Sequence, residues 1–114
     1  MPDATTTLRE LRDRVTRFLE DREWEPYHNP KDLAIALSVE AGELLDLFQW
    51  KTVDEIDLTD AGFRDALEDE LADVFIYTLH LTNAIGADLS DLTARKIAKN
   101  ATKHPVDRYR GKAR

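Results

Sequence analysis

The sequence predicts an all-α fold, an antiparallel four-helix bundle that assembles as a homo-oligomer. Apolar residues recur at the spacing of an amphipathic helix along four segments, and no stretch alternates apolar and polar residues as a half-buried strand would. Short connections, such as the one between the third and fourth segments, are typical of antiparallel neighbours in a bundle. A chain of 114 residues is long enough for one core but has little room for a second.

The first two predicted helices occupy the first half of the chain. Residues 6–22 form the first, on the apolar positions Leu8, Leu11, Val15, Phe18 and Leu19. The second begins at Pro30, with Asn29 as its N-cap, and runs to about residue 50.

The last two predicted helices have clear stop signals. The third begins near residue 59 or 60 and ends at Gly86, because glycine commonly follows the last helical residue. The fourth begins at residue 88 or 90 and ends near residue 103, because Pro105 disfavours helical backbone in the residue before it.

The third helix is apolar on two sides, which predicts burial all round. Four short helices from one chain can hardly cover it, so we expect a homodimer or a dimer of dimers. One side carries Phe63, Val74, Leu81 and Ile85, and the other carries Ala72, Phe75, Ile76 and Leu79.

Composition excludes several classes of protein. The chain has 23 acidic and 16 basic residues, a net charge of −7, which disfavours binding to nucleic acid or to an anionic membrane. Without cysteine it has no disulfide and no thiolate metal site. No apolar run has the length of a membrane span, and the N-terminal residues lack the apolar run of a signal peptide, so we expect a cytoplasmic protein.

We expect one domain over residues 1–107. The remaining residues, 108–114, are predicted to be a disordered basic tail. Its basic residues are Arg108, Arg110, Lys112 and Arg114.

Four acidic residues are the main functional signal. Glu40 and Glu43 lie three apart on the second helix, and Glu70 and Asp73 lie three apart on the third. Residues at this spacing share one face of a helix, and both pairs lie within or beside apolar arcs. Carboxylates turned inward are costly unless they are paired, so we expect a cation between them.

The cation predicted from these ligands is Mg²⁺, with Mn²⁺ as a substitute, because an all-oxygen ligand set favours a hard ion. Di-iron bundles need Glu-x-x-His pairs, and no histidine stands three residues after either Glu40 or Glu70. Basic partners for the acids are scarce, since Arg64 is the only basic residue between Lys51 and Arg95.

The residues around these acids resemble a known family. The segments that carry the resemblance are REWEPYHNPKDLAIALSVEAGELLDLFQWK, LEDELADVFIYTLHL and KIAKNATKHPV, with an ExxE pair, an ExxD pair and a KxxxN segment. Over residues 6–106 the chain resembles the all-α nucleoside triphosphate pyrophosphohydrolases, and within them the MazG-like branch that includes the dCTP pyrophosphatases.

The resemblance implies hydrolysis of a nucleoside triphosphate to the monophosphate and pyrophosphate. It assigns the Mg²⁺ ligands to the residues Glu40, Glu43, Glu70 and Asp73. One of these carboxylates, for which Glu40 is our choice, would accept the proton of the attacking water. dCTP and its 5-modified forms are the first expected substrates, and the cleansing of the nucleotide pool is the expected role.

The resemblance also implies substrate contacts. Trp24 and Trp50 match aromatic positions that contact the base, and stacking on indole suits any base. Lys96 and Asn100, four apart on the fourth helix, match a segment near the phosphates, with Lys99 and Lys103 as weaker candidates. His28 matches a family position whose role stays open.

Two further features bear on the substrate. Tyr77 lies one turn after Asp73, where it either binds a phosphate or the sugar or only packs in the core. The animal dCTP pyrophosphatases have a histidine in the first helix where this chain has Val15. This departure implies a broader or a different base preference.

Two alternatives stay open at this point. One is a non-catalytic helical oligomer whose acids bind a structural cation or form salt bridges between helices. The other keeps the fold and the metal but acts on another phosphorylated metabolite.

Overall fold

The computed structural model describes residues 1–112, and in this range every regular element is helical. The five α-helices are α1 (Leu8–Asp21), α2 (Pro30–Asp46), α3 (Ala61–Ala84), α4 (Leu89–Lys103) and α5 (Val106–Tyr109). Short 3₁₀ turns lie at Asp3–Thr5, Glu25–Tyr27 and Val53–Glu55. The predicted all-α class is therefore confirmed. No helix within residues 1–112 is both long enough and apolar enough to cross a membrane.

Side-chain caps explain where the helices begin. Thr7 Oγ1 accepts from the Glu10 amide at 3.1 Å while the Glu10 carboxylate accepts from the Thr7 amide at 3.3 Å, a capping box that starts α1 at Leu8. Asn29 Oδ1 accepts from the Asp32 amide at 2.9 Å, which confirms the predicted start of α2. Asp60 and Asp88 cap α3 and α4 in the same way.

The helix ends differ from the prediction by a few residues. The helical hydrogen bonds of α2 end at Asp46, because the amides of Leu47 and Phe48 turn to the carbonyls of Leu44 and Leu45 three residues back. Such a tightened last turn satisfies carbonyls that have no partner further along the helix. Gly86 has a φ of 68°, as expected for the residue that follows the end of a helix.

The core lies where α1 and α2 pack against α3. The α2–α3 contact is the most extensive, followed by α1–α3. Leu19 of α1, Leu33 of α2 and Leu79 of α3 are the buried apolar side chains. This arrangement brings the two faces that carry the acidic pairs together.

The predicted packing of the fourth helix against the third is not formed within the chain. Across residues 1–112, α4 has no helix contact comparable to those of α1 and α2 with α3. Its residues beyond Leu92 are exposed, including Ile97. The apolar strip of α4 is narrow, which gives little to bury. The radius of gyration is 17.2 Å, whereas a compact domain of this length has about 13 Å.

The start of the predicted basic tail is partly ordered. Helix α5 includes Arg108 and Tyr109, and the Tyr109 ring packs edge-on against His104 with centroids 4.7 Å apart. Arg114, the last basic residue of that prediction, lies outside the described residues.

Candidate metal centre

Three glutamates converge where α2 packs against α3. Glu40, Glu43 and Glu70 each offer a carboxylate oxygen, and these oxygens all lie within 4.8 Å of one another. Glu40 and Glu43 lie one turn apart on α2, so both point toward the helix that carries Glu70. The structure therefore brings together three of the four predicted ligands.

Two of these carboxylates are half-buried, and each has one enclosed oxygen. Glu40 Oε2 and Glu70 Oε2 are inaccessible to solvent and have no hydrogen-bond partner within residues 1–112. Burial is the first cause that raises the pKa of Glu40 to about 7, followed by the neighbouring carboxylate of Glu43 and by the charges of Asp73 and Glu70. Burial, and then Glu43 and Asp73, also raise the pKa of Glu70.

No basic side chain of the described residues forms an ion pair with this cluster. Within residues 1–112 the one ion pair joins Arg64 and Glu68, at 2.7 Å, on the exposed side of α3. A cluster of oxygen ligands, partly buried and lacking a positive partner, suits a hard divalent cation. The residues present thus fit the metal that the acidic pairs predicted.

Asp73 stands beside the three glutamates and is not one of the group that shares this 4.8 Å separation. Its negative charge is still near enough to raise the pKa of Glu40 and of Glu70. Its carboxylate also belongs to the lining of a cavity. Asp73 therefore connects the acidic cluster with a space where a substrate can bind.

That cavity has a volume of about 370 Å³ and lies between α1 and α3. Its lining is mainly apolar and aromatic, with Asp73 as its acidic member. Tyr77, predicted to bind a phosphate or the sugar, belongs to it. The lining residues are Arg14, Val15, Phe18, Asp73, Ile76, Tyr77 and His80.

His80 is the lining residue that sequence reasoning missed. It is buried, and its ring packs edge-on against His28 with centroids 4.7 Å apart. His28, a predicted substrate residue, therefore packs against His80. The Nδ1 atom of His28 is buried and has no hydrogen-bond partner in the described chain. The signal that would have found His80 is its place seven residues after Asp73, on the same face of α3.

The side chains of the two tryptophans are exposed to solvent. Trp24 packs edge-on against Phe18, a residue of the cavity lining, with centroids 5.9 Å apart. Trp50 is 85 % exposed in the turns that follow α2. An indole so exposed contributes little to the core of this chain, so its role as a base contact stays a prediction.

Lys96 and Asn100 are not brought to the cluster within one chain. Both are exposed on α4, which packs on neither α1 nor α2 to any comparable extent in residues 1–112. Their predicted contact with phosphates stays a prediction, and it depends on what covers α4.

A larger groove lies elsewhere among the described residues. It has a volume of about 530 Å³ and runs along the start of α1 and the α3–α4 turn. Arg12, its most buried cation, is already engaged, donating to Asn83 Oδ1 at 2.6 Å and to the Ala87 carbonyl at 2.7 Å. The groove lacks the acidic cluster, so the smaller cavity at Asp73 is the better candidate for a site.

Proteins of known name are similar to most of this chain. A mouse protein named dCTP pyrophosphatase 1 is 38 % identical over 109 residues, and its human counterpart is 36 % identical over 110. These matches cover 94 % and 95 % of the chain, which spans about 64–65 % of the length of these relatives.

A solved structure is similar to this chain as well. The crystal structure of a pyrophosphatase from Archaeoglobus fulgidus superposes with a TM-score of 0.77 at 34 % identity, covering 92 % of this chain and 98 % of that one. The sequence model of the MazG-like family matches residues 35–113, which include both acidic pairs. The chain belongs to the MazG-like family.

Proposed function

We propose that this protein is a Mg²⁺-dependent nucleoside triphosphate pyrophosphohydrolase, with dCTP or a 5-modified dCTP as its preferred substrate. The observation that carries the proposal is the pair of buried, unpartnered oxygens, Glu40 Oε2 and Glu70 Oε2, beside Glu43. The names of the relatives, dCTP pyrophosphatase 1 and a pyrophosphatase, support the reaction class.

The residues divide the reaction between them. Glu40, Glu43, Glu70 and Asp73 hold the metal, which when bound neutralises the phosphate oxygens and acidifies a water molecule. Glu40 is our choice for the carboxylate that accepts the proton of the attacking water. The water oxygen bonds to the α-phosphorus, the α–β anhydride bond breaks, and pyrophosphate leaves with the nucleoside monophosphate as the second product.

The cavity between α1 and α3 holds the nucleoside. It opens from Asp73, at the acidic cluster, and its apolar walls suit a flat base while Tyr77 faces the sugar or a phosphate. Trp24 and Trp50 add stacking surface from their exposed positions. Lys96 and Asn100 complete the phosphate contacts from α4.

The active unit in this proposal is a homo-oligomer. The chain exposes 9022 Å², whereas a compact monomer of its mass exposes about 6,400 Å². An excess of about 2,600 Å² per chain corresponds to an obligate interface rather than to a transient one. Ile35, Val39 and Leu45 form an exposed apolar strip on α2 that such an interface would cover.

Product analysis across a substrate panel tests the proposal. The panel holds the four deoxynucleoside triphosphates, 5-methyl-dCTP and the ribonucleotides, each with Mg²⁺, and resolves pyrophosphate from orthophosphate. In ¹⁸O-labelled water the label is expected in the monophosphate, because the attack is at the α-phosphorus. Release of orthophosphate, or label in the pyrophosphate, would refute this reaction. An absence of turnover from a folded oligomer would leave a structural-cation protein or an enzyme for another phosphorylated metabolite.

A further inference from the structure

His80 is a buried polar residue that the metal chemistry does not use. Only 6 % of its surface is exposed, and its ring lies between two cavities. One is the cavity of about 370 Å³ that reaches Asp73. The other, of about 210 Å³, lies on the side of His28. The small surface left to His80 therefore faces these two pockets.

The order of the lining residues along α3 determines which end of the cavity lies nearest the acidic cluster. Asp73, Tyr77 and His80 follow one another at intervals of four and three residues, so they lie on one face of the helix. Seven residues correspond to about 10.5 Å along the axis. With the triphosphate drawn to the acidic end at Asp73, the sugar passes Tyr77 and the base reaches the level of His80.

The ring is held in its neutral form. Burial lowers the pKa of His80 to about 4, and the nearby His28 adds to the effect. A neutral imidazole carries one N–H donor and one nitrogen acceptor. Among apolar neighbours such as Val15 and Ile76, these are polar groups whose direction can discriminate between ligands.

Within residues 1–112 the close neighbours of the ring are aromatic. His28 meets it edge-on at 4.7 Å, and Tyr77 lies tilted at 6.0 Å between centroids. No hydrogen bond from these described residues holds a ring nitrogen of His80. The ring nitrogens of His80 are not among the fully enclosed atoms, so a ligand in the cavity can reach them, and a ligand that supplies the missing partner is favoured over one that does not.

We propose that His80 is a specificity-determining residue whose imidazole hydrogen-bonds the edge of the nucleobase in the cavity between α1 and α3. The inference rests on the proposed function, since it takes a nucleotide as the ligand. It assigns the choice of base to α3, at a position two turns from the metal-binding acids, while the tryptophans contribute stacking that any base accepts.

The test compares His80→Ala and His80→Gln with wild type, measuring kcat/KM on each deoxynucleoside triphosphate. For His80→Ala we expect the ratio between the best and the second-best base to fall about tenfold to a hundredfold, the range of one lost buried hydrogen bond. Glutamine keeps a donor and an acceptor, so His80→Gln is expected to recover part of the ratio. An unchanged ratio in His80→Ala would overturn the proposal while leaving the reaction in place.

Thr82→Ala is the matched control for packing. Thr82 is as buried as His80 on the same helix, its hydroxyl donates to the Thr78 carbonyl at 2.7 Å, and it does not line the cavity. It is expected to change kcat/KM for all bases by the same factor. If Thr82→Ala shifted the ratio as His80→Ala does, the effect would be one of general packing and the proposal would fail.

A binding measurement separates this proposal from the proposed reaction. Titration of the deoxynucleoside monophosphates into metal-free protein is expected to show a base preference that His80→Ala weakens, whether or not wild type turns over a triphosphate. A base preference in binding that depends on His80, without turnover of any triphosphate, would refute the proposed reaction and support the role of His80. Binding of no monophosphate, or binding without a preference that depends on His80, would overturn it.

Discussion

Glu40 on α2 and Glu70 on α3 each offer a carboxylate oxygen within 4.8 Å of the other and of Glu43, and each has a buried oxygen with no hydrogen-bond partner in residues 1–112. Like charges held this close oppose folding unless a cation lies between them. This single relationship links the packing of two helices to a requirement for metal. It also determines how stability must respond to pH, to metal and to substitution.

The metal-free protein is expected to lose stability as pH rises. The pKa of Glu40 is about 7 in the folded chain against an ordinary 4.5, so the folded state holds a proton that the unfolded state releases. The stability from this proton is complete below about pH 4.5 and is lost as pH rises through about 7. Melting temperatures in a chelator, compared between wild type and Glu40→Gln, measure it. A Glu40→Gln difference that did not change between pH 5 and pH 8 would contradict this account.

Mg²⁺ is expected to stabilise the protein more at pH 8 than at pH 5, because the ligands must be deprotonated to bind it. At a hundred times the dissociation constant, binding adds about 2.7 kcal/mol to the free energy of unfolding. The melting temperature with MgCl₂, against KCl of equal ionic strength, measures this gain. An equal rise at both pH values, or a rise that Glu40→Gln keeps in full, would argue against the cluster as the metal site.

Glu70→Gln is expected to raise the melting temperature of the metal-free protein while abolishing the gain from Mg²⁺. The substitution removes a charge from a cluster of like charges, and such sites commonly trade stability for function. Glu68→Gln is the matched control, because Glu68 lies on the same helix in an exposed pair with Arg64. A lower melting temperature for Glu70→Gln in chelator would mean that Glu70 has a stabilising partner.

Trp50→Ala is expected to raise KM without lowering stability. The side chain is 85 % exposed, and exposed substitutions usually change stability by less than about 0.5 kcal/mol. Loss of one stacking contact costs about 1–3 kcal/mol of binding, or about 5-fold to 150-fold. Steady-state kinetics and thermal unfolding check both parts, with Trp50→Phe expected to retain most of the affinity. An unchanged KM would remove Trp50 from the site.

Charge placed on the exposed strip of α2 is expected to dissociate the oligomer. Val39→Asp puts a carboxylate at a position 54 % exposed in the single chain, where burial against another copy would make it costly. Light scattering after size exclusion is expected to give an oligomer for wild type and smaller species for the variant. Val53→Asp makes the same replacement of an apolar by an acidic side chain in the turn before α3, and it serves as the control. A monomeric wild type would contradict the proposed assembly.

Local signals in the sequence were sufficient for the helices and for the acidic pairs. Asn29 before Pro30 marks the start of α2, and the three-residue spacing of Glu40 and Glu43 requires one helix face. The end of α2 was misplaced by about four residues, because the tightened turn at Leu47 leaves no mark in the pattern.

Contacts between distant helices could not be predicted from these local signals. The apolar spacing of α4 predicts that one face is buried but does not say against which chain. The role of His80 depends on α1 lying across α3, which places Val15 and Phe18 opposite it. The spacing of seven residues from Asp73 places His80 on the face of α3 that carries the site, but the spacing alone does not distinguish a pocket lining from a core residue.

The most direct measurement is the release of pyrophosphate from dCTP in the presence of Mg²⁺. It compares wild type, Glu70→Gln and Glu68→Gln, each shown to be folded. We expect pyrophosphate and dCMP from wild type and Glu68→Gln. For Glu70→Gln we expect a loss of at least about a hundredfold, because even the outer partners of metal ligands are worth tenfold to a hundredfold. Equal activity in Glu70→Gln and Glu68→Gln would contradict the claim that the acidic cluster between α2 and α3 forms the catalytic metal centre.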